Sequence, residues 1–184
     1  KMRQDTEAAL KQFDVSTFMN GGIIKKLEEK LTTDETVIYI ASTNAKITTT
    51  STGQTEALPG AIALTSKRII FTFKVLLDHK TISVDLAQVH SVNSRGNSMT
   101  GGHIEVLTMV NTIDFLVKYK KETIAAIQQA FETSIAAAKT SQVAAAPSQE
   151  DVLGKIQKLA ELQAAGVLTE AEFAEKKADL LDRL

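Results

Sequence analysis

The feature that most restricts this chain is a succession of short apolar runs between Glu35 and Val117, each bounded by turn-forming residues and each too brief for an ordinary helix. Residues 35–41 hold Val37, Ile38, Tyr39 and Ile40, a nearly continuous apolar stretch suited to a strand covered on both faces. Residues 60–74 read as two strands turning at Ser66-Lys67. Ile62 and Leu64 alternate in the first, and Ile69, Phe71 and Phe73 in the second. Further runs at 80–84, 89–95, 103–109 and 112–117 bring the predicted strands to seven. The polar stretch 48–59 reads as a loop or an extended hairpin tip. After the strands, residues 120–139 are good helix formers whose Ile124, Ile127, Phe131 and Ile135 fall on one stripe. Seven antiparallel strands and one amphipathic helix predict an α+β barrel or sandwich, because a small curled sheet leaves an open corner that the helix can close over the apolar interior.

Two further helical regions flank this body. Residues 1–31 form an N-terminal helical segment in two pieces, one with Ala8, Ala9 and Phe13, the other with Ile23, Ile24, Leu27 and Leu31, which Asn20 is placed to cap; Gly21 and Gly22 weaken the junction. At the other end, residues 140–149 are rich in Ala, Ser and Gln with no hydrophobic period, which predicts a linker between a domain at 32–139 and an αα-hairpin at 150–184.

Almost every position of that hairpin has a legible job. Ser148 with Asp151 makes a capping box, and Val152, Leu153, Ile156, Leu159 and Leu162 then recur at helical spacing. Gly166 is placed to take the left-handed conformation that ends the helix, with Leu162 and Val167 as the apolar contact of a Schellman motif. Thr169 and Glu172 form a second capping box between Leu168 and Phe173 at the staple positions, and Phe173, Lys177, Leu180, Leu181 and Leu184 continue the seam. A segment this short lies below the roughly 40 residues at which an unaided core becomes feasible, so its seam needs another surface.

The stretch IQKLAELQAAGVLTEAEFAEKKADLL resembles the SHOCT family of short C-terminal domains found in bacterial and phage proteins. That resemblance implies an interaction or oligomerisation appendage without catalysis. GAIALTSKRIIF resembles the Gly-x-x-x-Leu-Thr-x-x-Arg stretch of bacterial PH-like domains, the YokE-like group in particular, and TISVDLAQVHSV is comparable to the Ile/Leu-rich segment that follows it there. This second resemblance spans residues 35–139 and implies a PH-like seven-stranded fold with a C-terminal capping helix.

Composition narrows the functions. Lys and Arg number 21 against 22 Asp and Glu, and there is no basic stripe with interleaved aromatics, so a nucleic-acid partner is not expected. Zero cysteines exclude disulfides and thiolate metal sites. No apolar run approaches the roughly 20 residues that span a bilayer, and the opening KMRQDTEAAL lacks a secretory core; a cytoplasmic location is expected. His79, His90 and His103 are scattered without metal-ligand spacing, Asp78-His79 with Asp85 is a nonspecific acid/base candidate, and no Gly-x-Ser-x-Gly elbow is present. Gly96, Gly101 and Gly102 read as a hairpin turn, since the Lys-Ser/Thr ending of a phosphate loop is missing.

No catalytic residue, cofactor, metal or small-molecule substrate is therefore expected. The expected partner is a second copy or another protein, met through Leu153, Ile156, Leu159, Phe173, Leu180 and Leu181. A weaker alternative is anionic lipid, met through Lys67, Arg68 and Lys74, with Arg68 weighted toward a structural role because long basic stems cover apolar surface.

Overall fold

The computed structural model describes residues 2–145 and 149–181, with side-chain surroundings given for 2–143, 154–179 and 181. Two helices, α1 (Gln4–Gln12) and α2 (Gly21–Glu28), precede seven strands: β1 (Val37–Thr49), β2 (Thr55–Thr65), β3 (Arg68–Val75), β4 (Asp78–Asp85), β5 (Val89–Asn97), β6 (Gly101–Thr108) and β7 (Asn111–Val117). Helices α3 (Lys121–Ala145), α4 (Gln149–Ala164) and α5 (Glu170–Leu181) follow. The sheet is antiparallel throughout, in the order β4-β3-β2-β1-β7-β6-β5. Strand β1 is thus shared by the two halves, and β4 and β5 are the free edges. The α+β class with seven strands and a helix after them is as the sequence predicts.

The polar stretch after residue 48 is an extended hairpin, the second of the two expected forms. Strand β1 runs through Thr49 and β2 starts at Thr55, with Thr48 and Thr55 hydroxyls 2.9 Å apart across the pair. Threonine is polar but β-branched, and its strand preference outweighs its loop-like hydrophilicity here.

The inner face of the sheet packs on α3. Ile124, Ile127, Phe131 and Ile135 are all buried, and the Phe131 ring lies 6.0 Å from Tyr39 and 5.8 Å from Phe115. Close approach of the helix requires a missing side chain: a Cβ on Gly102 would sit 2.7 Å from Ile124 Cδ1. The three glycines read as a turn instead flank it, Gly96 in β5 and Gly101 and Gly102 in β6; Gly101 adopts φ +80° at the strand's start, and Gly102 serves packing.

The outer face of β1–β3 carries a second core. Ala9, Leu10, Ile24 and Leu27 from the N-terminal helices meet Val37, Ile40, Ala61, Ala63 and Ile70. That is why the Val37–Ile40 run is apolar at consecutive positions. Neither helix has a side-chain cap; Asn20 occupies the position before α2, but its side chain makes no capping bond. Burial rather than capping holds them.

The chain forms two compact units, Lys1–Lys139 and Thr140–Leu184. The N-terminal helices therefore belong to the body. Residues 140–145 of the expected linker are the last turns of α3. No described helix is long and apolar enough to cross a membrane.

Candidate interaction surfaces

The terminal hairpin is built by local rules. Gly166 has φ +73°; the Val167 N–H donates to the Leu162 carbonyl at 2.9 Å and the Gly166 N–H to the Gln163 carbonyl at 2.9 Å, the paired bonds of a Schellman motif. Thr169 N–H donates to Glu172 Oε2 at 2.9 Å, and the Glu172 N–H reaches Thr169 Oγ1 at 3.4 Å, completing the second capping box. These bonds, the Thr169 backbone bond first and its hydroxyl second, hold the Glu172 carboxyl below its ordinary range. The proposed Ser148 box lies outside the described residues.

None of the described hairpin side chains is buried. Ile156, Leu159 and Phe173 are half-buried, Leu181 is 47% exposed, and the side chains of Leu153 and Leu180 fall outside the described set. Leu162 and Val167 remain 41% and 68% exposed, so the Schellman contact covers little. Between the helices lies a cleft of about 360 Å³ with Leu159 and Leu162 in its wall and Lys155, Lys158, Lys176 and Asp179 around it. Lys177 sits 5.9 Å above the Phe173 ring, a cation–π contact at the end of the seam. The hairpin is a shaped apolar surface edged with charged groups, three lysines and one aspartate around its cleft.

The basic residues named for lipid contact do not form one patch. Lys67 is paired with Asp34, whose carboxyl that bond, with help from Thr32, draws down to about 2. Arg68 forms a fork with Glu35: Nε donates to Oε2 at 3.1 Å and Nη2 to Oε1 at 2.7 Å. The Thr32 N–H (2.8 Å) and the Thr65 hydroxyl (2.9 Å) also donate to this carboxylate, which is only 1% exposed. Burial alone would raise the Glu35 carboxyl; the Arg68 bonds and these donors outweigh it and hold it down at about 2. The Arg68 guanidinium is raised in turn, chiefly by its bond to Glu35, and also donates to the Lys30 carbonyl at 2.9 Å. Arg68 thus locks β3 to the segment joining α2 to β1. Lys74 is exposed near the opposite end of β3, roughly 20 Å away at about 3.3 Å per residue.

At that other end is a feature that strand reading missed. Val75 pairs with Asp78, so Leu76 and Leu77 form a two-residue hairpin turn, 89% and 92% exposed, with Leu76 at φ +55°. Turns of this length normally place Gly, Asn or Asp at such a position. By strand direction the Met109-Val110 turn lies at the same end of the sheet, 87% and 70% exposed.

A second missed constellation lies on the outer face of β5–β7. His103 Nδ1 is 2.7 Å from Asp114 Oδ1, and Arg95 pairs with the other oxygen of the same carboxylate. Lys46 borders this cluster in a cleft of about 290 Å³. Its signal was strand parity: Ile104, Ile113 and Phe115 point inward, which turns His103 and Asp114 outward on neighbouring strands. Two donors satisfy one nearly buried carboxylate and tie three strands together. Asp78 and Asp85, in contrast, stand at opposite ends of β4 and cannot act as a pair. Among the described residues no group of three or more acidic or histidine side chains could hold a metal ion.

Comparison with known proteins agrees with the hairpin geometry. Residues 155–181 match the family model SHOCT, described as "Short C-terminal domain". No curated protein matches the chain. Among solved structures, the Vps36 N-terminal PH domain is similar at 17% identity over 56% of this chain and 83% of that one, with a TM-score of 0.39. The C-terminal domain of an unknown protein from Leishmania infantum is similar at 14% identity over 62% and 95% of the two chains, with a TM-score of 0.37.

Proposed function

We propose that this chain is a non-enzymatic interaction module of a bacterium or phage. Its body is a YokE-like bacterial PH-like scaffold that meets a protein partner or a second copy, and its hairpin is a second contact surface. The observation that carries this reading is the mismatch within the hairpin. Its turn and its second cap are fully bonded, yet Ile156, Leu159 and Phe173 are only half covered and no described side chain there is buried. Rigid local geometry around a half-covered apolar seam suits a surface that is completed by a partner. The free β4 and β5 edges offer the body a second route to association through backbone pairing. Light scattering tests the proposal: the full chain should exceed its monomer mass of 19.9 kDa, and a chain ending at Ala145 should assemble to a lower order. Assembly to the same number of copies in both would remove the hairpin from any self-association.

A second reading, peripheral contact with an anionic lipid surface, is favoured by the Leu76-Leu77 turn. Two exposed leucines at a tight tip, with Asp78 beside them and the exposed ammonium groups of Lys74 and Lys80 close by, have the form of an apolar wedge beside charges that can meet anionic headgroups. Vesicles with and without phosphatidylserine decide it. The wedge predicts sedimentation with anionic vesicles that Leu76→Ser/Leu77→Ser abolishes, whereas a chain that ignores both kinds of vesicle retires this reading.

A further inference from the structure

Strand β1 pairs with β7 only from Ala45 to Thr49; before that it pairs with β2 alone, and the two strands part. Thr43 Oγ1 bridges the start of the gap by donating to the Leu116 carbonyl at 2.7 Å. The gap opens into a cleft of about 330 Å³, walled by Phe13, Leu116, Val117 and Ile127, bordered by Tyr39, and edged by polar side chains that include Ser42 and Asn44. At its rim Lys118 meets Asp14 at 3.4 Å, so the two charges there offset each other.

Tyr39 is the odd residue in this setting. It is 2% exposed and packed against Phe13, Phe115 and Phe131, with ring centroids 5.3, 6.2 and 6.0 Å away. A phenylalanine would make the same ring contacts. The hydroxyl has no hydrogen-bond partner among the described residues, an arrangement that ordinarily disfavours tyrosine. It is not sealed either: the side-chain atom that is both fully enclosed and unpartnered is Thr6 Oγ1, whereas Tyr39 borders the cleft. Burial pushes the phenol up, so it remains a donor at physiological pH.

We propose that this cleft is a binding site for a compact, uncharged, mostly apolar small molecule that presents one hydrogen-bond acceptor to the Tyr39 hydroxyl. The volume lies at the lower end of the range for ligand sites, which restricts the occupant to about a single ring or a short branched chain. The apolar walls take its body, and the neutralised rim gives no advantage to a net charge. Nothing in the sequence advertises such a site, because its walls come from the end of α1, from β1, from the end of β7 and from α3, and its Tyr39 anchor reads as a core aromatic.

The test uses the full chain and two probes of the same shape: acetophenone, whose carbonyl accepts a hydrogen bond, and α-methylstyrene, in which a methylene replaces that oxygen. Amide correlation spectra should show acetophenone shifting Phe13, Val15, Thr43 and Val117, with an affinity about tenfold above that of α-methylstyrene. In Tyr39→Phe the two probes should bind equally. Thr123→Phe, which fills the mouth from α3, should exclude both, and it keeps the test valid should Tyr39→Phe fail to fold. Equal affinities in the unaltered chain, or no shifts around the cleft from either probe, would overturn the proposal.

Discussion

The chain holds two pairs of short helices, and they solve the same problem in opposite ways. Helices α1 and α2 are 9 and 8 residues long and have no side-chain caps, yet Leu10, Ile24 and Leu27 are buried against the sheet. Helices α4 and α5 are 16 and 12 residues long, with a complete Schellman turn and a capping box, and none of their described side chains is buried. Capping and periodicity decide whether a helix can form; a facing surface decides whether it is committed. The N-terminal pair has that surface in β1–β3, and the Glu35–Arg68 fork fixes the segment between the pair and the sheet.

The contrast breaks first at Arg68. Replacing it by Leu leaves the Glu35 carboxylate buried without its main partner, and urea unfolding should show the body losing about 3–5 kcal/mol. Amide exchange of residues 155–181 should stay as it was. Next comes acid. A carboxyl lowered from 4.5 to about 2 contributes on the order of 3 kcal/mol of stability, fully present above pH 4.5 and lost as the pH falls toward 2. The sign follows because the unfolded chain binds that proton more readily than the folded one. Urea midpoints of the body measured from pH 5 to pH 2 should trace this loss, and Glu35→Gln should flatten it. A smaller effect belongs to the hairpin: Gly166→Val places a β-branched residue at φ +73° and should destabilise the 155–181 region by at least about 1 kcal/mol, read as faster amide exchange there with the body unchanged. Smallest is Leu76→Gly, which relieves the left-handed turn and should stabilise the body by up to about 1 kcal/mol in urea.

Much of the fold was legible because periodicity and turn chemistry are local. The seven strands, the α3 stripe, Gly166 and the Thr169–Glu172 box all follow from neighbours in sequence. What escaped depends on residues far apart in the chain. The Glu35–Arg68 fork joins positions 33 apart, and the His103–Asp114–Arg95 cluster needs the strand register before it exists. The packing role of Gly102 was invisible until α3 was in place. The polarity of residues 48–59 left a loop and an extended hairpin equally open, and the apolar Leu76-Leu77 pair carries none of the Gly, Asn or Asp that would have marked it as a tight turn.

The central claim is that the hairpin seam is a contact surface separate from the body. Sedimentation velocity of the full chain over a wide concentration range, beside the double variant Leu159→Asp/Phe173→Asp, tests it most directly when each sample's urea midpoint is taken as well. The account predicts that the unaltered chain sediments faster as concentration rises, that the variant loses this dependence, and that the body unfolds at the same urea concentration in both. A chain that stays monomeric throughout, with a body weakened by the two aspartates, would contradict it and make the hairpin a structural part of its own domain.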